Sequence, residues 1–413
     1  MAVVTDYTAL LYYTSNSFGR WNSLSRPGTP AVVTYSFVET DELGDAASDP
    51  YGATSYWSYS NAQRTVFRQA IEAYEDAAGI VFVETGGRAM VNVFGYSGGT
   101  AAGWANLPWA SSFATSRGDV AIQGSSISPG SFGYETILHE LGHAVGLKHP
   151  HSGDPVLAEH LDTQENTVMT YNYAGYNVSD LGPLDLQALQ HIYGGASATA
   201  DWDVRLGAAG QVVIDASHRW ETLLATGQDT NIHARGGNDR VFGREGDDKL
   251  RGGWGNDTLK GGYGSDTLWG QSGDDVLIGA VNKDSRSGSG NDGDLLHGGK
   301  GKDKIWGSRG EDTLKGGFGS DRLTGGDGSD ILSGGQQGDV FVFVTADYWE
   351  DEIITDFGTG KDKIEFSGTQ IDEFSDLTIS QQGGSTFISF QGQHDVELTG
   401  YTGALTADHF IFT

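Results

Sequence analysis

In two runs, residues 239–275 and 294–339, an aspartate returns every nine residues, and an apolar side chain follows two positions after each one. The aspartates are Asp239, Asp248, Asp257, Asp266 and Asp275, then Asp294, Asp303, Asp312, Asp321, Asp330 and Asp339; the apolar partners run from Val241 and Leu250 to Leu332 and Phe341. Glycines fall in the same register: Gly243 and Gly246; Gly252, Gly253 and Gly255; Gly261, Gly262 and Gly264; Gly270 and Gly273; Gly298, Gly299 and Gly301; Gly307 and Gly310; Gly316, Gly317 and Gly319; Gly325, Gly326 and Gly328. Residues 227–339 hold 31 of the 63 glycines, so the repeat, not a general bias, sets this composition. A nine-residue period of the form GGxGxDxUx predicts a parallel β-roll. The glycines allow a tight turn with positive φ, and the apolar residue sits on a short strand and points inward. The aspartate carboxylates and turn carbonyls form oxygen cages. Hard oxygen ligands without His or Cys select Ca²⁺, so these aspartates and glycines are the candidate calcium residues. A flexible glycine-rich linker would not keep Asp and Leu in phase through eleven copies. The two runs are 19 residues apart, and Ala280–Asp292 reads as one widened turn in a continuous stack.

The net charge of −30 fits cation binding and argues against nucleic acid or an anionic membrane as partner. No cysteine is present, which excludes disulfides, thiol catalysis and Cys-ligated metal. No apolar run is long enough to span a bilayer as a helix, and no basic-then-apolar leader opens the chain.

Residues 1–195 carry a different pattern. Ser60–Ala78 is predicted as an amphipathic helix through Val66, Phe67, Ala70, Ile71 and Tyr74. Ile80–Glu84 and Met90–Phe94 are predicted strands; Tyr134–Val145 and Leu184–Tyr193 are predicted helices. Within the first of these helices lies His139-Glu140-Leu-Gly-His143-Ala-Val-Gly146-Leu-Lys-His149-Pro150. Spacing of four places His139 and His143 on one helical face. Gly146 can end the helix in a left-handed turn, bringing His149 to a third ligand position. Three imidazoles leave Zn²⁺ one open position for water, and Glu140 is placed to take that water's proton. Met169, in Asn166-Thr-Val-Met169-Thr-Tyr171, is the expected methionine turn beneath the metal.

On these residues the chain resembles the serralysin family of secreted zinc endopeptidases, in the metzincin clan. Pro150 follows the third histidine as in that family, Tyr171 stands two residues after the turn methionine, and Asp185–Gly194 is similar to the helix closing the protease domain. The calcium roll comes next, as it does there. The resemblance implies that Tyr171 ligates zinc at rest and hydrogen-bonds the oxyanion during reaction. It implies that Ala101–Leu107, with Gly103, Trp104 and Ala105, is the cleft rim that pairs with an extended peptide, and that Asp356 and Asp362 bind calcium. It also implies that the end Asp408-His-Phe-Ile-Phe-Thr413 addresses a type I exporter, so that the protein is secreted and extracellular and acts on protein or peptide substrates. A monomer is expected. No propeptide is evident, and the roll is longer than the family pattern. Asp239, Asp294 and Asp339 stand in repeats lacking consensus glycines. His151, His160 and His191 read as ordinary polar residues.

The expected fold class is α+β in two domains: a metzincin-type zinc protease domain with mixed sheet and helices, then a parallel β-roll/β-sandwich. The expected limits are 1–195 for the protease, 196–226 for a linker and first strands, 227–342 for the roll and 343–413 for the sandwich. Two other functions compete: a non-catalytic calcium-dependent adhesion protein, and a zinc hydrolase of non-peptide bonds. The intact His–Glu–His set disfavours the first; Met169 and Pro150 disfavour the second.

Overall fold

The computed structural model describes residues 2–12, 21, 26–39, 53–87, 89–106, 118–124, 127–280, 293–344, 351–358, 360–368, 371–390 and 395–413. It divides into two compact units, 1–210 and 211–413. Leu107 and positions 281–292 of the roll insertion lie outside the described residues.

The first unit is built on a sheet of β1 (Ala31–Phe37), β2 (Ile80–Glu84), β3 (Val91–Ser97), β4 (Gly103–Ala105) and β5 (Gly118–Gln123), in spatial order β2-β1-β3-β5-β4. The first four in that order are parallel, and β4 joins the edge antiparallel to β5. β1 was not expected from the sequence. All seven of its residues are buried, so it lacks the alternation that marks a half-buried strand. Helix α1 (Asn61–Ala77) makes the crossover from β1 to β2. It starts at a capping box formed by Ser60 and Gln63 and buries Phe67, Ala70, Ile71, Tyr74 and Ala77. Helix α2 (Phe132–Ala144) starts where Ser131 accepts from the Tyr134 N–H. It packs against β4 and β5 and against α1, so His139, Glu140 and their neighbours are buried. Tyr74 of α1 donates to the Leu138 carbonyl, and Tyr193, at the end of helix α3 (Pro183–Tyr193), donates to the Val145 carbonyl at 2.8 Å.

The second unit is two parallel sheets wound from one chain, successive strands alternating between them. Leu250 is therefore in register with Leu268 and Leu296, while Leu259 is in register with Leu277 and Ile305. The inward row from Val241 to Phe341 is at most 1% exposed. Each such side chain contributes about 1.5–3 kcal/mol by burial, and the row is one residue wide. The winding starts before the glycine repeat: Ile214 pairs with Ile232, and Leu223 with Val241. Those residues keep the nine-residue apolar spacing after the Gly and Asp positions have lost it. Beyond Val344 the chain extends the same two sheets through Glu352–Ile354 and Asp395–Leu398 on one side and Lys363–Ser367 and Phe410–Phe412 on the other. The tail is therefore continuous with the roll; among the described residues, Leu377–Gln382 and Ser385–Phe390 add antiparallel strands.

Candidate metal sites

Helix α2 ends after His143. Gly146 has φ +101°, and the Leu147 N–H reaches back to the Gly142 carbonyl at 2.8 Å. That turn brings His149 back over the helix. Its Nε2 lies 3.1 Å from His139 Nε2 and 2.9 Å from His143 Nε2. The opposite nitrogens are committed: His139 Nδ1 donates to the Val168 carbonyl at 2.7 Å and His143 Nδ1 to the Leu147 carbonyl at 2.8 Å. With those protons assigned, the Nε2 atoms face one another with lone pairs. Burial pushes His139 down, His143 well below its usual value and His149 down to about 4, so all three are neutral near pH 7. Three neutral imidazole lone pairs converging at these distances fit a tetrahedral Zn²⁺, whose nitrogen ligands stand roughly 3.3 Å apart.

Met169 is fully buried beneath this cluster. A Cβ on Gly142 would come within 2.4 Å of its sulfur, so the helix and the turn meet at van der Waals contact only because residue 142 has no side chain. Glu140 is buried next to the first ligand, and without a metal desolvation pushes its carboxyl up to about 8; a cation held by the three histidines would draw it back toward the ionised form that a base needs. The edge strand β4 crosses it: a Cβ on Gly103 would lie 2.6 Å from Thr136 Cγ2 and 2.9 Å from Glu140 Cγ. The strand is three residues long, shorter than Ala101–Leu107. The exposed Tyr171 ring lies 4.5 Å from that of His149 and 5.5 Å from that of His139.

Two residues reach this site that the sequence reading did not single out. Asp185, fully buried on α3, accepts from Thr167 Oγ1 at 2.6 Å, from the Val168 N–H at 2.8 Å and from the Gly182 N–H at 2.9 Å. The Val168 carbonyl is the acceptor for His139, so α3 orients a metal ligand through the methionine turn. No motif spacing could have revealed this. Asp185→Ala should weaken zinc binding by about 10- to 100-fold, measured by competition with a chromophoric chelator; unchanged affinity would show that the turn holds itself. The second residue is His151, which the sequence suggested was an ordinary polar side chain. It stacks on His149, centroids 5.4 Å apart and planes 7° from parallel.

In the roll, each aspartate does two things. One oxygen caps a turn: Asp257 Oδ1 accepts from the Asp239 N–H, and Asp275 Oδ1 from the Asp257 N–H, both at 2.8 Å. The other oxygen is buried without a hydrogen bond in Asp239, Asp248, Asp257, Asp275, Asp303, Asp312, Asp321 and Asp339. It shares a small space with a carbonyl of the adjacent turn. A Cβ on Gly243 would be 2.4 Å from both Asp248 Oδ2 and the Gly261 carbonyl; on Gly316, 2.4 Å from Asp321 Oδ2 and 2.5 Å from the Gly334 carbonyl. Orphaned buried carboxylate oxygens beside carbonyl oxygens are the chemistry of a hard cation, and they fit calcium. Asp239, Asp294 and Asp339 make the same caps as the rest, despite their missing glycines. The touching aspartates are those on one sheet, usually 18 residues apart, not the consecutive ones. Asp362 continues the ladder, accepting from Asp339 N–H at 3.0 Å and Gly358 N–H at 2.6 Å. Asp356 instead accepts from Ser333 Oγ, Gly334 N–H and Gly335 N–H, which occupies both its oxygens.

Without cations, burial raises Asp248 to about 10, Asp312 to about 9, Asp275 to about 8, and Asp239 and Asp339 to about 7. Native values above the unfolded value of about 4 mean the folded roll takes up protons that the unfolded chain does not. The calcium-free roll should therefore gain order as pH falls from about 8 to about 5, read by circular dichroism in chelator. Loss of order over that interval would contradict it.

These features define a two-part class: a metzincin-type zinc domain followed by a calcium-binding roll. Residues 50–194 match the family model for the astacin peptidases, and four copies of the RTX calcium-binding nonapeptide repeat match 224–259, 251–285, 288–321 and 306–341. Serralysin A of Dickeya chrysanthemi is 29% identical over 214 residues, 45% of this chain and 43% of that protein. Serralysin of Proteus mirabilis is 27% identical over 245 residues, 48% and 47%. Metalloprotease AprA of Pseudomonas entomophila (strain L48) is 28% identical over 219 residues, 45% and 44%. The chain spans under half the length of these curated relatives. The first unit thus matches the astacin peptidase model, the second matches the RTX repeat model, and the serralysins are similar to the chain over under half of its length.

Proposed function

We propose that the chain is a secreted zinc endopeptidase that cleaves extended protein segments, its roll wound by calcium. The observation that carries this is the set of three converging Nε2 atoms with Glu140 buried beside them and β4 crossing over Glu140. Zinc, when bound, supplies a water acidified to near neutrality and polarises a carbonyl. Glu140 accepts the water's proton and passes it to the leaving amine. The backbone of Gly103, Trp104 and Ala105, on the sheet edge, offers a peptide an antiparallel partner. Tyr171, beside His149, donates its phenol to the oxyanion. Tyr171→Phe should then lower kcat by about 10²–10³, with KM little changed; a change confined to KM would mean it only shapes the cleft.

The rest of this reading follows from the roll. Weak calcium sites empty in a cytosol and fill outside a cell, which suits passage of an unwound chain through a type I exporter with 408–413 as the address. The folded protein acts as a monomer. Casein hydrolysis that is lost in a zinc chelator and restored by Zn²⁺ is the expected result. No hydrolysis by zinc- and calcium-loaded protein, alongside calcium-dependent binding to cells, would favour an adhesion role.

A further inference from the structure

Among the rings at the zinc ligands, one imidazole has no part in the reaction outlined above. His151 faces Tyr171 at 5.2 Å and 47°, while stacking in parallel on His149. Tyr171 thus has three imidazole neighbours: His139, His149 and His151. The first two are committed to the metal and the third is not.

Behind His151 stands Asp162, buried to 7% exposure. Its Oδ2 lies 3.7 Å from His151 Nδ1, within electrostatic reach but too long for a hydrogen bond. The same residue grips the chain on both sides of Tyr171. Its Oδ1 accepts from Thr170 Oγ1, and its backbone carbonyl accepts from Asn172 Nδ2 at 2.7 Å. The Asn172 N–H also donates to Thr170 Oγ1 at 3.1 Å. The backbone flanking Tyr171 is therefore tied down, while the residue as a whole is 67% exposed. Its ring stacks on that of His139 and lies tilted against those of His149 and His151, so these three rings border its side-chain torsion.

We infer that His151, backed by Asp162, is a positioning residue for Tyr171, setting the balance between the phenol at the metal and the phenol turned toward a substrate oxyanion. The inference rests on the role proposed for Tyr171. Removing one aromatic contact of this kind shifts a two-position balance by about three- to tenfold.

The test uses the full chain with calcium bound and four variants: His151→Ala, His151→Phe, Tyr171→Phe, and His151→Ala combined with Tyr171→Phe. Two quantities are read: kcat and KM on a fluorogenic peptide, and the tyrosinate-to-metal charge-transfer absorption of protein loaded with Cu²⁺ in place of zinc. His151→Ala should change the charge-transfer band and shift kcat by about three- to tenfold with KM within about twofold. His151→Phe, which keeps a ring, should restore both. In the Tyr171→Phe background, His151→Ala should have no further effect on kcat. An equal loss in that background, an unaltered band, or a lower zinc content in His151→Ala would overturn the inference and leave the role of Tyr171 standing. Wild-type protein that cleaves peptide without any such band, together with a Tyr171→Phe variant of normal kcat, would overturn the role of Tyr171 and the inference with it.

Discussion

Replacing Glu140 by Gln should leave zinc bound and reduce peptide hydrolysis by about two to four orders of magnitude, the range of a positioned general base. The substitution is nearly isosteric, so the close contacts of Glu140 with Gly103 and Thr136 survive it. Neither His139 nor His143 leans on the Glu140 carboxylate: they are oriented by the Val168 and Leu147 carbonyls. What goes is the ionisable oxygen able to accept a proton. Zinc content by metal analysis and kcat on a peptide are the two readings. Activity within about tenfold of wild type would remove Glu140 from the mechanism.

Calcium removal should have an effect of a different kind. The roll's cohesion is one row of Leu, Ile, Val and Phe between two sheets, and its turns bury carboxylate oxygens without partners. Burying an uncompensated carboxylate costs several kcal/mol, more than one inward side chain returns. Without cations at pH 7, each buried aspartate must stay either ionised and desolvated or protonated far above its unfolded pKa, and that cost should unwind residues 211–413, because the binding energy of the ions is part of the folding energy. A calcium-selective chelator should make that half protease-sensitive, while the His139, His143 and His149 site still titrates with zinc. A zinc-selective chelator should do the reverse, ending activity and leaving the roll wound. A second unit that stays protease-resistant at sub-micromolar free calcium would refute the account of its stability.

What the sequence made legible was whatever has a period or a fixed spacing. Helix α1 shows its apolar face at three- and four-residue steps and its start at Ser60, so its limits were expected to within a residue. The zinc ligands lie within eleven residues; His139 and His143 meet by helix geometry, and His149 returns through the turn at Gly146. β1 has neither signal, since a fully buried run of seven reads alike as strand or helix. Strands were expected in 196–226, but that Ile214 and Leu223 belong to the winding is not marked by glycines, since they keep only the apolar period. The roles of Asp185 and His151 were unreadable for another reason. One works through a backbone carbonyl 17 residues away and the other through ring faces, and neither leaves a mark in one dimension. The repeat also predicted a stack of aspartates without showing that strands alternate between sheets, which puts the true neighbours 18 apart.

The central claim is that three histidines and Glu140 make a peptide-bond hydrolase. It is tested most directly by incubating a denatured proteome with the zinc- and calcium-loaded protein and identifying new peptide termini by mass spectrometry. The prediction is many internal cleavages with a shared side-chain preference, absent with Glu140→Gln and absent after zinc removal. No new termini from the loaded wild-type protein, or the same termini from Glu140→Gln, would contradict it.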